Sequence, residues 1–126
     1  MLPKPYRLCK NREFRYVYAR GSNCGSALLS LVHISSGPPG SLRVGFSVSK
    51  KVGNAVTRNL VKRRMRAAFR ELMPEVRTGC RLVFVARPAC VDRSYADIQR
   101  DMKKLLRKAR RLRASEPAPQ KAGPRS

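Results

Sequence analysis

The chain has 126 residues, 42% of them hydrophobic, with 29 Lys and Arg against 7 Asp and Glu and a net charge of +22. That length predicts one small domain, and the apolar share supplies a modest core, which excludes a wholly disordered basic chain. No apolar run approaches the roughly 18 residues of a membrane span, and the start, Met1-Leu2-Pro3-Lys4-Pro5, lacks the apolar stretch of a signal peptide, so a cytoplasmic protein with no membrane partner is expected.

Residues 1–10, with two prolines, read as an extended lead-in. Asn11 can cap a short helix, Glu13 suits its first turn, Phe14, Val17 and Tyr18 give an i, i+3, i+4 face, and Gly21 can end it. Ala27–Ile34 reads as a strand, and the Pro- and Gly-rich segment 35–40 as a loop. Leu42–Ser49 alternates, with Leu42, Val44, Phe46 and Val48 on one face and Arg43, Gly45, Ser47 and Ser49 on the other, the pattern of a strand with one buried face.

Asn54–Leu72 is the most informative helix. Placed about 100° apart with Arg58 at zero, Asn59, Lys62, Arg63, Arg66 and Arg70 fall between about 40° and 140°. Apolar residues from Val56 to Leu72 fall between about 160° and 340°, with Leu60 and Ala67 among them and Phe69 at the boundary. Arg64 is the misfit inside the apolar arc, and snorkelling to the edge would accommodate it. Beyond Pro74 and Gly79, Arg81–Ala86 is a continuous apolar strand, expected to be covered on both faces. Ser94 to Asp97 forms a capping box, opening a helix with the stripe Ile98, Met102, Leu105, Leu106, Ala109 and Leu112. From Ala114 onward nothing is periodic, so a domain over 11–113 and a disordered tail over 114–126 are expected. The order is helix, strands, helix, strand, helix: a small α+β sandwich.

The chemistry a self-sufficient nuclease would need is poorly supplied. Phosphodiester hydrolysis calls for clustered carboxylates holding metal ions or for an acid–base pair. The acids are scattered, and Asp97 and Glu71 are explained by a cap and a helix surface. His33 stands alone in a strand and reads as packed rather than catalytic. Cys9, Cys24, Cys80 and Cys90 form no C-x-x-C pair, so reduced structural thiols are expected and a zinc site is not. There is no Gly-rich phosphate loop.

Binding is better supplied. From Phe14 to Arg70 there is no Asp or Glu, while eleven Lys and Arg fall there, eight of them within Lys50–Arg70. A solvated helix face interleaves both signs to gain i, i+4 pairs, so this excess asks for a polyanion, nucleic acid first. Lys50 and Lys51 lead to the helix N-terminus, whose free N–H groups and positive dipole suit a phosphate. Arg58, Lys62 and Arg66 continue as a ridge spaced at about 6 Å, close to the phosphate repeat of a strand. Asn59 between them can both donate and accept at a base edge. A second cluster, Arg100–Arg113, holds eight basic residues and the single acid Asp101. Phe14, Tyr16 and Tyr18 crowd one short helix, and the residues alone leave core packing and base stacking both open.

The run Ser47-Val48-Ser49-Lys50-Lys51-Val52-Gly53-Asn54-Ala55-Val56-Thr57-Arg58-Asn59-Leu60-Val61-Lys62-Arg63 closely resembles the signature of the bacterial ribonuclease P protein component. The flanks agree: Arg43 to Phe46, Glu13 to Tyr18 followed by Gly21, Val83 to Pro88, and the helix opened by Ser94-Tyr95. The resemblance implies an α-β-β-β-α-β-α fold like the second domain of ribosomal protein S5, with a left-handed βαβ crossover through the basic helix; sequence rules alone would make it right-handed. It implies a ribonucleoprotein in which a catalytic RNA, with Mg²⁺, removes the 5′ leader of precursor tRNA and the protein does no bond chemistry. The family's RNA-contacting motif falls on Arg58, Asn59, Lys62, Arg63 and Arg66, with Lys50, Lys51 and Asn54 leading in, and its leader-stacking aromatics on Phe14 and Tyr18. Two positions depart from the family pattern: Leu60 stands where a cation is usual, and Val32 near where a strand aromatic is common. DNA is not expected as a partner. The rivals are a ribosomal RNA-binding protein, a DNA-binding regulator and a stand-alone nuclease.

Overall fold

The computed structural model describes Leu8 and residues 11–112; the expectations for the rest of the lead-in, for Cys9 and for the tail lie outside the described residues. The elements run α1 (Asn11–Arg20), β1 (Ser22–Gly25), β2 (Leu29–Ser35), β3 (Leu42–Ser47), α2 (Ala55–Leu72), β4 (Cys80–Ala86) and α3 (Tyr95–Lys108). The strands form one sheet in the order β1-β2-β4-β3. β1 with β2 and β2 with β4 are antiparallel, whereas β3 and β4 are parallel neighbours joined through α2, making a βαβ crossover.

Strand alternation divides the core in two. Leu29, Leu31, Leu42, Val44, Phe46, Leu82 and Phe84 project to one face, where α2 adds Val61, Met65, Ala68, Phe69 and Leu72, and α3 adds Ile98, Met102, Leu105 and Leu106. Phe46, Phe69 and Phe84 form its centre, with ring centroids 5.9 to 6.2 Å apart. Such pairs add about 0.5–1.5 kcal/mol each beyond the area they bury. The opposite face carries only Leu8, Val17, Val32 and Val83, with Phe14, Ile34 and Val85 half-buried beside them. Its sole helical cover among the described residues is the ten-residue α1. β4 lies between β2 and β3 with Leu82, Val83 and Phe84 fully buried, the two-sided cover its continuous apolar run predicts.

The capped starts of α2 and α3 hold, but α3 ends at Lys108. Ala109 and Leu112, expected on its stripe, lie beyond it, Leu112 being buried where the chain turns back to bridge Val76. Asn54 Oδ1 accepts from the Thr57 amide at 2.9 Å, and Ser94 Oγ from the Asp97 amide at 3.1 Å. Other expectations need correction. The strand expected over Ala27–Ile34 begins at Leu29, because Asp101 reaches up from α3 and ties the preceding turn: its Oδ2 accepts from the amides of Leu28 and Leu29 at 3.2 and 3.1 Å and from the Ser26 hydroxyl. β1, which no hydrophobic run announced, pairs along β2 with Cys24 packed against the larger core. β3 stops at Ser47, two residues early, as the chain turns toward α2. Gly21 ends α1 through close approach rather than left-handed backbone, since a Cβ there would sit 2.6 Å from the Val17 carbonyl oxygen and 2.8 Å from that of His33.

Candidate nucleic-acid interface

The chain leaves β3 through a tight turn in which the Val52 amide donates to Ser49 O at 3.0 Å and the Gly53 amide to Lys50 O at 3.2 Å. Buried Val52 anchors this turn, leaving Lys50, Lys51 and the capping Asn54 exposed around the N-terminus of α2. The first turn of α2 holds no acid. Two ammonium groups beside a positive helix end repel it, and an anion placed there relieves both.

Along α2, Asn59 and Arg63 are exposed, while Arg58, Lys62 and Arg66 are partly covered along their stems. The Nε atoms of Arg58 and Arg66 are shielded and have no hydrogen-bond partner within the described residues. Packing on the stems thus aims these two guanidinium groups. No ion pair among the described residues includes a cation of α2. The misfit Arg64 does reach out of the apolar arc, donating Nη1 to the Arg93 carbonyl at 3.1 Å.

That arc itself proves to be two. Val61, Met65, Ala68, Phe69 and Leu72 form the buried contact, whereas Val56 and Leu60 are exposed. Phe69, at the boundary on the helical wheel, is fully buried under Phe46 and Phe84. A wheel records polarity, not neighbours; the sheet and α3 reach only the sector centred near about 320°.

α1 crosses the thinly covered sheet face. At β3, Glu13 pairs with Arg43 at 3.0 Å, and the Phe14 ring lies over Gly45, where a Cβ would come within 2.5 Å of two ring atoms. At β2, Gly21 abuts His33. Phe14 is half-buried and Tyr18 exposed on the same side of α1. By strand register, the row Ser30, Val85 and Ser47 lies one step beyond the row Val32, Val83 and Gly45, toward the end of β3 that leads to Lys50. This half-buried row, bordered by Phe14, was legible as the small-residue side of the alternation in β3 but was not singled out. Tyr16 faces the other way, into a 240 Å³ hollow with Arg12 and Arg81.

His33 and the thiols are engaged structurally. His33 Nδ1 lies 3.3 and 3.1 Å from Nε and Nη2 of Arg111, and burial followed by that guanidinium holds its pKa below the usual value. Burial raises the thiols of Cys24 and Cys80 and pushes Cys90 up to about 11, which leaves them as protonated packing groups at neutral pH. Among the described residues, no three His, Cys, Asp or Glu side chains gather into a metal site, and no helix is long and apolar enough to cross a membrane.

The family model described as Ribonuclease P matches residues 2–110. The ribonuclease P protein component of Clostridium botulinum (strain Loch Maree / Type A3) is 43% identical over 107 residues, covering 84% of this chain and 96% of that one. The ribonuclease P protein component of Shouchella clausii (strain KSM-K16) is 39% identical over 111 residues, covering 88% and 91%. A solved structure of Staphylococcus aureus RNase P protein, a mutant with defective mRNA degradation activity, superposes with a TM-score of 0.80 at 30% identity, over 86% of this chain and 92% of that one.

Proposed function

Because the chain belongs to the ribonuclease P protein family, with its place in tRNA processing as part of a ribonucleoprotein, we propose that it binds a catalytic RNA through the cationic face of α2 and the single-stranded 5′ leader of precursor tRNA between α1 and the open sheet face. The observation that carries this reading is the row of α2 cations with no acid partner among the described residues, continuous with Lys50, Lys51 and Asn54 at the helix N-terminus. Arg58, Lys62, Arg63 and Arg66 meet phosphates, and Asn59 meets a phosphate or a base edge. Phe14 and Tyr18, one helical turn apart on α1, offer rings on which unpaired bases can stack beside the open sheet face.

The chain's part in leader removal is electrostatic and geometric. Asp92 apart, the acids of the described residues cap, clamp or pair within the fold, and no three possible ligands gather among them, so RNA phosphates would hold Mg²⁺, which would supply charge and activated water for hydrolysis there. Neutralising several phosphates lowers the cost of bringing that ion to a crowded polyanion. Gripping the leader favours precursor over product, since only the precursor carries one. The setting for this work is the cytoplasm, with neither membrane nor DNA as partner.

The test is 5′-leader removal from a precursor tRNA at low Mg²⁺, with the protein alone, with a bacterial ribonuclease P RNA, and with that RNA after Arg58→Ala and Lys62→Ala together. Cleavage should need both components at low Mg²⁺ and fall away in the double variant. Cleavage by protein alone, or RNA activity indifferent to folded protein, would overturn the reading. Five to eight phosphate contacts give a slope of log K on log salt of about −4 to −7. Tyr18→Ala should weaken leader binding by about 1–3 kcal/mol with folding intact; unchanged leader affinity would return Tyr18 to plain surface.

A further inference from the structure

The outward surface of α2 is not uniformly cationic. Val56 is 79% exposed and Leu60 40%, and Ala67 is exposed as well. These three lie within about 40° of one another, bordering the basic face and about 80° from the nearest core position. Apolar side chains held in water gain nothing for the fold. Leu60 and Ala67 instead floor a groove of about 340 Å³, with Tyr95 at the start of α3 across from them and Arg63, Arg64 and Arg66 around it.

The walls of this groove are set before any ligand arrives. Arg64 is tied to the Arg93 carbonyl, and the Tyr95 hydroxyl accepts from Gln99 Nε2 at 3.3 Å, which holds the ring by its polar tip. Arg63 and Arg66 make no hydrogen bond or ion pair among the described residues, and the stem of Arg66 is packed up to its shielded Nε. An apolar floor beside two unspent guanidinium groups suits a ligand that is flat and apolar at one end and anionic at the other. A bare phosphate leaves the floor unused, and an apolar peptide leaves the arginines desolvated and unpaired.

We propose that this groove holds one unpaired nucleotide of the RNA partner, its base against Leu60, Ala67 and Tyr95 and its phosphate at Arg63 and Arg66. The proposal rests on the RNA-binding reading and deepens it. The basic ridge follows a backbone of any sequence, whereas a base pocket at its border requires a flipped or single-stranded nucleotide at one register. It therefore directs α2 to an unpaired junction in the RNA rather than to a continuous duplex.

The experiment titrates the full chain against a bacterial ribonuclease P RNA over a salt series, with Leu60→Ala, Leu60→Met and Arg58→Ala, each melted first to show that it folds. Leu60→Ala should bind about 5- to 30-fold more weakly at every salt with the slope unchanged, because apolar contact and not charge is removed. Leu60→Met, which keeps the contact area, should bind like the parent. Parental binding by Leu60→Ala with weakened binding by Arg58→Ala would overturn the groove and leave the basic-face reading standing. Parental binding by both would overturn both. Parental RNA binding by Leu60→Ala with loss of self-association would also overturn it, assigning the groove to a second copy of the chain.

Discussion

α2 and α3 pack side by side on the same sheet face, both rich in cations, yet they spend them differently. α2 carries six basic residues and one acid, and α3 five and two. On α3, Arg100 pairs with Asp97 at 3.2 Å, Lys103 with Glu75 at 3.7 Å, and Lys108 donates to the Gly25 carbonyl at 3.1 Å. Just beyond it, Arg111 donates to the Ser35 hydroxyl at 3.1 Å and lies against His33. On α2, Arg64 alone finds such a partner among the described residues. Similar composition thus serves assembly of the fold on one helix and leaves most cations without a partner among the described residues on the other. Charge count does not separate the two; the nearby acceptors do.

Substitutions sharpen that contrast. Arg58→Ala with Lys62→Ala should cost about 3–4 kcal/mol in RNA affinity, as two charge-assisted contacts are lost, and make the salt slope shallower by about 1.4–1.8. The unfolding midpoint of that variant should hold or rise, since like charges one turn apart are removed. Asp101→Ala should do the reverse. It leaves the amides of Leu28 and Leu29 without their carboxylate acceptor, while the Ser26 hydroxyl keeps the Leu29 carbonyl at 3.1 Å, costing about 2–3 kcal/mol in urea unfolding while the salt slope of the folded protein stays put. Lys103→Ala breaks one exposed pair and should cost no more than about 1 kcal/mol of stability. A flat urea profile for Asp101→Ala, or a steepened slope for the α2 variant, would erase the distinction.

The smallest effect is that of pH at His33. Burial and Arg111 depress its pKa in the fold, so the neutral ring is favoured there. The unfolded chain then binds more protons below about 6.5, and the contribution present above that pH is lost as pH falls through the folded value. His33→Gln should flatten this acid limb of a stability–pH curve. An unchanged limb would mean the ring is charged in the fold.

Much of this was legible from residues alone, because caps and periodicity are local. Asn54, Ser94 and the stripe from Ile98 to Leu106 stand where spacing puts them. β1 was not legible: Ser22-Asn23-Cys24-Gly25 has no alternation and is a strand through its partner, β2. Asp101 read as a stray acid among cations, because its three donors lie far back in the sequence. The two apolar arcs of α2 merged on the wheel for the same reason, as only the fold separates the residues that meet the core from those that meet solvent. Arg58 to Arg66 were legible as a face because no acid interrupts them. Gly45 beneath Phe14 could have been found as a glycine that alternation alone does not require.

The clamp at Asp101 also bears on the order in which the molecule can form. Its bonds join residues 72 to 75 apart in sequence, and the pairing of β2 with β4 joins residues 45 to 57 apart. Such distant contacts return their free energy only after a long loop has closed, which places this chain among slower folders for its size. During synthesis β2 lacks its partner until β4 emerges, and the carboxylate that tethers its first turn comes later still, with α3. The residues of α2 are complete before either. A nascent chain therefore displays the basic sequence of α2 ahead of β4 and α3, the scaffold that will cover its apolar face.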